Sequence, residues 1–149
     1  PPEAADLQTL LTGAGGRTSD ALAWTRNSPP NEAARHWHAL PQAMARGDVS
    51  ALADWSPAQA VDALQKLCHD VWAIRVGASP RFFSANDLPA MTSGGAVGVP
   101  QTSARPGFYA LANWSRELST IARTVEHPYN PGLLLESLVS RARTALNSK

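Results

Sequence analysis

Apolar residues recur at three- and four-residue steps along most of the chain, and the clearest such stripe begins at Ser56. Ser56-Pro57-Ala58-Gln59 supplies an N-cap serine, a proline at the first helical position and a glutamine placed to close a capping box. Val61, Leu64, Leu67, Cys68, Val71, Trp72 and Ile74 then follow at helical spacing, with Asp62, Lys66, His69 and Asp70 assigned to the opposite, polar side. Gly77 is expected to end this helix. A second stripe, Phe108, Leu111, Leu118, Ile121 and Val125, is introduced by Pro106-Gly107 and closed by His127-Pro128. A third starts at Asn130-Pro131 and buries Leu134, Leu135, Leu138, Val139, Ala142 and Leu146, with Arg141 and Arg143 suiting the helix dipole.

Upstream, Glu3 to Leu11 and Thr18 to Arg26 read as short helices. Asn31 to about Leu40 reads as another, with Trp37 and Leu40 inward and Pro41 kinking or restarting the chain. The alternation that marks a half-buried strand appears nowhere over more than a few positions, so the fold class is all-α. Asn27-Ser28-Pro29-Pro30 reads as a linker, and Ser84 to Arg105, rich in glycine and small residues, as a flexible surface loop.

Composition narrows the function. A hydrophobic fraction of 44% and a charged fraction of 17% over 149 residues predict one packed core with room for a small appended unit. The formal net charge of +1 offers no basic field for nucleic acid, so no direct nucleic-acid binding is expected. The lone Cys68 excludes an internal disulfide, no apolar run spans a membrane and no signal peptide opens the chain, so a cytoplasmic location is expected. The chain starts at Pro1 rather than Met, and a native protein extending upstream is expected.

Candidate chemistry is sparse. Leu11-Thr-Gly-Ala-Gly-Gly-Arg-Thr18 lacks the first glycine and the lysine of a phosphate-binding loop and has no preceding strand; it reads as a turn between helices. His36 and His38 project roughly 200° apart on a helix and cannot share a metal. Cys68 lies on the apolar stripe and His69 on the polar one, a poor nucleophile and base pair, so Cys68 reads as a buried thiol. Asn113-Trp114-Ser115 is a glycosylation sequon without a secreted context. The tryptophans at 24, 37, 55, 72 and 114 read as helix-packing residues, any exposed one suggesting a partner surface. No catalytic residues, cofactor site or metal site are expected.

Three segments taken together carry a resemblance: Ala63-Leu-Gln-Lys-Leu-Cys-His-Asp70, Gly77-Ala-Ser-Pro-Arg-Phe-Phe83, and Glu126-His-Pro-Tyr-Asn-Pro-Gly-Leu-Leu-Leu-Glu-Ser-Leu138. Their order and spacing resemble the C-terminal part of the delta-prime subunits of bacterial DNA polymerase III clamp loaders, over most of residues 31–149 and more weakly upstream. The resemblance implies that residues 1–28 end an AAA+ lid domain and that 29–149 form a helical collar. Such collars pack into a pentameric ring with the gamma/tau and delta subunits and support loading of the sliding clamp in DNA replication. Gly16-Arg17-Thr18-Ser19-Asp20-Ala21-Leu22 resembles a lid pattern in which ATP-hydrolysing relatives place a nucleotide-sensing arginine where Ser19 stands here. That degenerate sensor position implies a subunit without its own ATP hydrolysis. Arg81, Phe82, Phe83, Asn130 and Leu134 are the expected subunit-interface residues. The alternative reading is a stand-alone helical adaptor binding a peptide in a groove lined by its tryptophans.

Overall fold

A computed structural model describes the backbone of residues 2–26, 28–88, 101–124 and 131–147, with side chains from 4, 108 and 132 onward in the first, third and fourth of these ranges. Among the described residues six α-helices follow in order: α1 (Pro2–Gly13), α2 (Thr18–Trp24), α3 (Pro30–Arg46), α4 (Pro57–Arg75), α5 (Gln101–Thr124) and α6 (Pro131–Leu146). Short 3-10 turns lie at Val49–Leu52 and Ala85–Asp87, and no strand occurs among the described residues. The expected all-α class holds. No helix among the described residues is long and apolar enough to cross a membrane.

The start of α4 follows its sequence closely. Ser56 Oγ accepts from the Gln59 amide at 3.2 Å while the Gln59 side chain accepts from the Ser56 amide at 3.1 Å, the reciprocal capping box. At the other end Gly77 adopts φ 84°, and the Ala78 amide turns back to the Ala73 carbonyl at 2.7 Å, closing the helix with otherwise unpaired carbonyls satisfied.

Helices α3, α4, α5 and α6 enclose one core, in which Leu40, Leu64, Leu67, Leu111, Leu118 and Leu138 are almost wholly removed from water. Fully burying one such side chain contributes about 1.5–3 kcal/mol. Helix α1 lies across α3 at Gly13, where a Cβ atom would come within 2.7 Å of the Trp37 indole. The absent side chain is what lets the two backbones approach.

Three expectations change. Pro41 does not restart the chain: α3 runs from Pro30 to Arg46 with the proline inside it. The proline forgoes its own backbone hydrogen bond, and its side chain is buried, which works against that loss. Helix α5 begins at Gln101, inside the stretch expected to be loop as far as Arg105, so Pro106-Gly107 falls within the helix rather than before it. One missing ladder bond does not stop a helix of 24 residues. Residues 89–100, Val125 and His127-Pro128 lie outside the described residues. Finally, Lys66 and Asp70 are not on a solvated face of α4: they are 6% and 0% exposed.

Candidate functional site

Burial of Asp70 is explained by what it binds. Its carboxylate accepts three consecutive backbone amides: Arg81 N–H on Oδ1 at 2.9 Å, and Phe82 and Phe83 N–H on Oδ2 at 2.8 and 2.7 Å. His69 Nδ1 lies 2.9 Å from the same Oδ1. A buried charge is tolerable only when hydrogen bonds replace its hydration, and here both oxygens are engaged. The consequence is a rigid corner after α4, because three successive peptide groups are aimed at one point.

That corner divides its side chains. Phe83 turns inward, buried, with its ring stacked on Trp37 at 4.2 Å and 8°. The Phe82 carbonyl accepts the Trp37 indole N–H at 3.0 Å. The half-buried Phe82 ring meets His69 edge-on at 5.5 Å and carries the Lys66 ammonium 5.5 Å from its centroid. Arg81 is exposed, its guanidinium 5.4 Å from the Phe82 ring. Lys66 is further held by Asp62 at 2.8 Å and lies 5.6 Å from the Trp24 ring centroid.

Of the expected interface residues, Arg81 and Phe82 therefore reach the surface together, whereas the Phe83 side chain belongs to the core of its own chain. Leu134 is half-buried against that core on α6, next to the exposed Leu133, and Asn130 lies outside the described residues. Ser19 is exposed on α2. The segment from Leu11 to Thr18 forms the end of α1, a turn and the start of α2, as a glycine-rich helix connection should. Arg17 pairs with Asp20 at 3.1 Å and, together with Gly15, Lys66, Arg81 and Phe82, lines a shallow depression. The structure thus brings the α1–α2 turn beside the corner.

A second feature is an aromatic cleft of about 210 Å³ where α2, α3, the first 3-10 turn and the start of α4 meet. Trp24, Trp37 and Trp55 all line it. Trp24 stacks on Trp37 at 4.9 Å, and Trp55 lies parallel to Trp37 within 2° at 6.4 Å. Trp37 is buried, while Trp24 and Trp55 are partly open to solvent. Asp54 is the one carboxylate in the lining, it is exposed, and it has no hydrogen-bond or ion-pair partner among the described residues. A third cavity, between α4 and α5, is lined by Trp72, Val76 and Leu118 and passes over Cys68.

Two arrangements resemble parts of catalytic sites. His38 Nδ1 lies 2.5 Å from Asp87 and its Nε2 3.4 Å from Thr9 Oγ1, the order of a nucleophile, base and carboxylate. Thr9 lines none of the three cavities described above, and the contacts act as a strut joining α1, α3 and the second 3-10 turn. Cys68 is buried, and desolvation pushes its thiol up to about 12, so it is a poor nucleophile at neutral pH. Its S–H donates to the Leu111 carbonyl at 3.6 Å, and His69, the neighbour that sequence places nearest, is engaged with Asp70 instead. Among the described residues no group of three His, Cys, Asp or Glu side chains is placed to hold a metal ion.

Sequence reasoning missed Asp70, Asp87 and Asp54. The first had a readable signal: Ala63, Lys66, Leu67 and Asp70 are spaced as one helical stripe, which makes Asp70 a neighbour of the core as much as of Asp62. Comparison of the chain with protein-family models, curated proteins and solved structures gives no match. The geometry of the corner and of the cleft therefore carries the functional reading.

Proposed function

We propose that this chain is a non-catalytic assembly module of the delta-prime type, acting in the pentameric collar of a bacterial DNA polymerase III clamp loader. In this reading residues 1–28 end the AAA+ lid and 29–149 are the collar, which packs in the cytoplasm against gamma/tau and delta subunits while the sliding clamp is loaded for DNA replication. The observation that carries the proposal is the Asp70 corner. Two of the segments on which the resemblance rests are separate in sequence, yet they form one mechanical unit, the last residue of the first holding three amides of the second. Residues 131–138 of the remaining segment lie on α6, which packs on α4 and α5. That the segments carrying the resemblance are physically interdependent supports reading them as one architecture rather than as scattered likenesses.

The role follows from what the corner presents. A ring assembly needs a surface whose geometry does not relax when the partner is absent, because ordering a loose segment costs binding free energy. Arg81 and Phe82, of residue types enriched at the energetic centres of interfaces, are held on such a surface. Ser19, where the resemblance would place the nucleotide-sensing arginine of ATP-hydrolysing subunits, is too short to reach a phosphate, which is consistent with a subunit that acts by contact.

The test is reconstitution. The 149-residue chain is added to gamma/tau and delta subunits together with a delta-prime whose own collar has been removed, and the mixture is resolved by size. Co-elution at stoichiometric ratio is expected, weakened by Arg81→Glu without loss of helicity. A chain that folds but never enters the complex overturns the assignment. The aromatic cleft favours a second reading, a helical adaptor that receives a segment of a partner between its tryptophans.

A further inference from the structure

We infer that the cleft formed by Trp24, Trp37 and Trp55 is a receptor for a single cationic side chain, an arginine projected from a partner polypeptide. The inference deepens the adaptor reading by giving its groove a ligand chemistry, and it is equally compatible with a collar that takes an arginine from a neighbouring subunit.

Size is the first argument. At about 210 Å³ the cleft is smaller than the roughly 300–1,000 Å³ typical of sites for drug-sized ligands and cofactors, so it suits one side chain. Charge is the second. The lining includes no lysine or arginine, and its one carboxylate, Asp54, is exposed and unpaired among the described residues. Asp70, Asp87, Asp62 and Asp20 are by contrast committed, to backbone amides, His38, Lys66 and Arg17 in turn, while Asp6 and Glu32, as free of partners as Asp54 among the described residues, do not line the cleft.

Ring availability is the third argument. Trp37 is occupied, with Phe83 stacked on it and its N–H bonded to Phe82. Trp55 is not closed down in the same way: it is half-buried, parallel to Trp37, and 6.4 Å from it where Phe83 stands at 4.2 Å. The face of an indole attracts a cation through its quadrupole, and a planar guanidinium stacks on it while keeping its in-plane N–H groups free for a carboxylate. Asp54, adjacent in sequence to Trp55 and in the same lining, is that carboxylate. The protein already uses this chemistry internally, since the Lys66 ammonium, which is not part of the cleft, lies 5.6 Å from the Trp24 ring centroid.

The experiment titrates the full chain with acetyl-Gly-Arg-Gly-amide and follows the indole N–H resonances of the five tryptophans. Peptides carrying citrulline or norleucine in place of arginine serve as the neutral planar and the apolar comparison. Saturable shifts of the Trp55 and Trp24 resonances at millimolar arginine peptide are expected, with citrulline weaker by about fivefold or more. Asp54→Asn should remove most of that preference, and Trp55→Ala should abolish the shifts while leaving helicity intact. If citrulline or norleucine peptides bind as well as arginine, the cationic assignment fails and the adaptor reading stands. If no peptide moves these resonances, both fail.

Discussion

Replacing Asp70 with asparagine changes one atom pair and tests whether the corner after α4 is held as described. The carboxylate accepts three backbone amides with two oxygens, one of the donors, Phe83 N–H, being buried. Asparagine offers one oxygen and places an NH₂ group against donors, so at least one amide loses its acceptor. A stranded buried donor costs about 1–3 kcal/mol, and the surviving bonds lose their charge assistance at about 1 kcal/mol each. Removing the charge returns part of the cost of burying it, which leaves an expected loss of about 2–3 kcal/mol for Asp70→Asn and about 4 kcal/mol for Asp70→Ala. Against a typical total of about 5–15 kcal/mol the alanine variant stands near the unfolding limit, so asparagine is the informative substitution. Urea unfolding followed by far-ultraviolet circular dichroism gives the free energy. Hydrogen exchange at Arg81, Phe82 and Phe83 gives the local effect, with all three amides expected to exchange faster than those of the α4 interior. A variant within about 0.5 kcal/mol of the parent, with protection at these amides unchanged, would refute the reasoning.

Other outcomes follow from the same geometry. Gly13→Ala should destabilise by about 1–3 kcal/mol by urea titration despite alanine's better helix propensity, because the added Cβ falls 2.7 Å from the Trp37 ring. Ser56→Ala removes half of the capping box and should cost about 1 kcal/mol in the same assay, leaving the native spectrum unaltered. The Cys68 thiol, raised from 9.0 to about 12, binds its proton more tightly in the folded chain than in the unfolded one. Its contribution is therefore complete below pH 9.0 and is lost as the pH rises towards about 12, so thermal midpoints should fall across that alkaline window and fall less in Cys68→Ala. A disulfide exchange reagent should modify Cys68 at neutral pH only as fast as the chain opens.

Local signals made the helices legible, since caps and breakers act over a single turn. The capping box at Ser56 and the left-handed Gly77 were both readable because each is specified by residues within four positions of itself. Pro41 and Pro106 misled for the complementary reason. Proline disfavours a helix locally, and whether neighbouring packing offsets that cost depends on residues distant in sequence, such as the core partners of α3. The same limit hid the corner. The spacing of Ala63, Lys66, Leu67 and Asp70 hints at burial, but nothing in it says that the backbone will return at positions 81–83 to engage a carboxylate. Trp55 and Asp54 are likewise unremarkable until α2 and α3 are brought alongside them.

The close placement of Trp24, Trp37 and Trp55 has an optical consequence. Indoles this near one another exchange excitation and couple their transition dipoles, so the trio should add an exciton contribution to the dichroism that has nothing to do with peptide helicity. Because one member sits on α2, one on α3 and one just before α4, that signal reports the seating of the N-terminal helices on the core. A fall of that signal to what the Trp37–Trp55 pair alone supplies, while the helical signal persists, would mark the detachment of residues 2–26 as an event separate from unfolding, and would give this chain a built-in gauge of how its N-terminal helices are joined to the core.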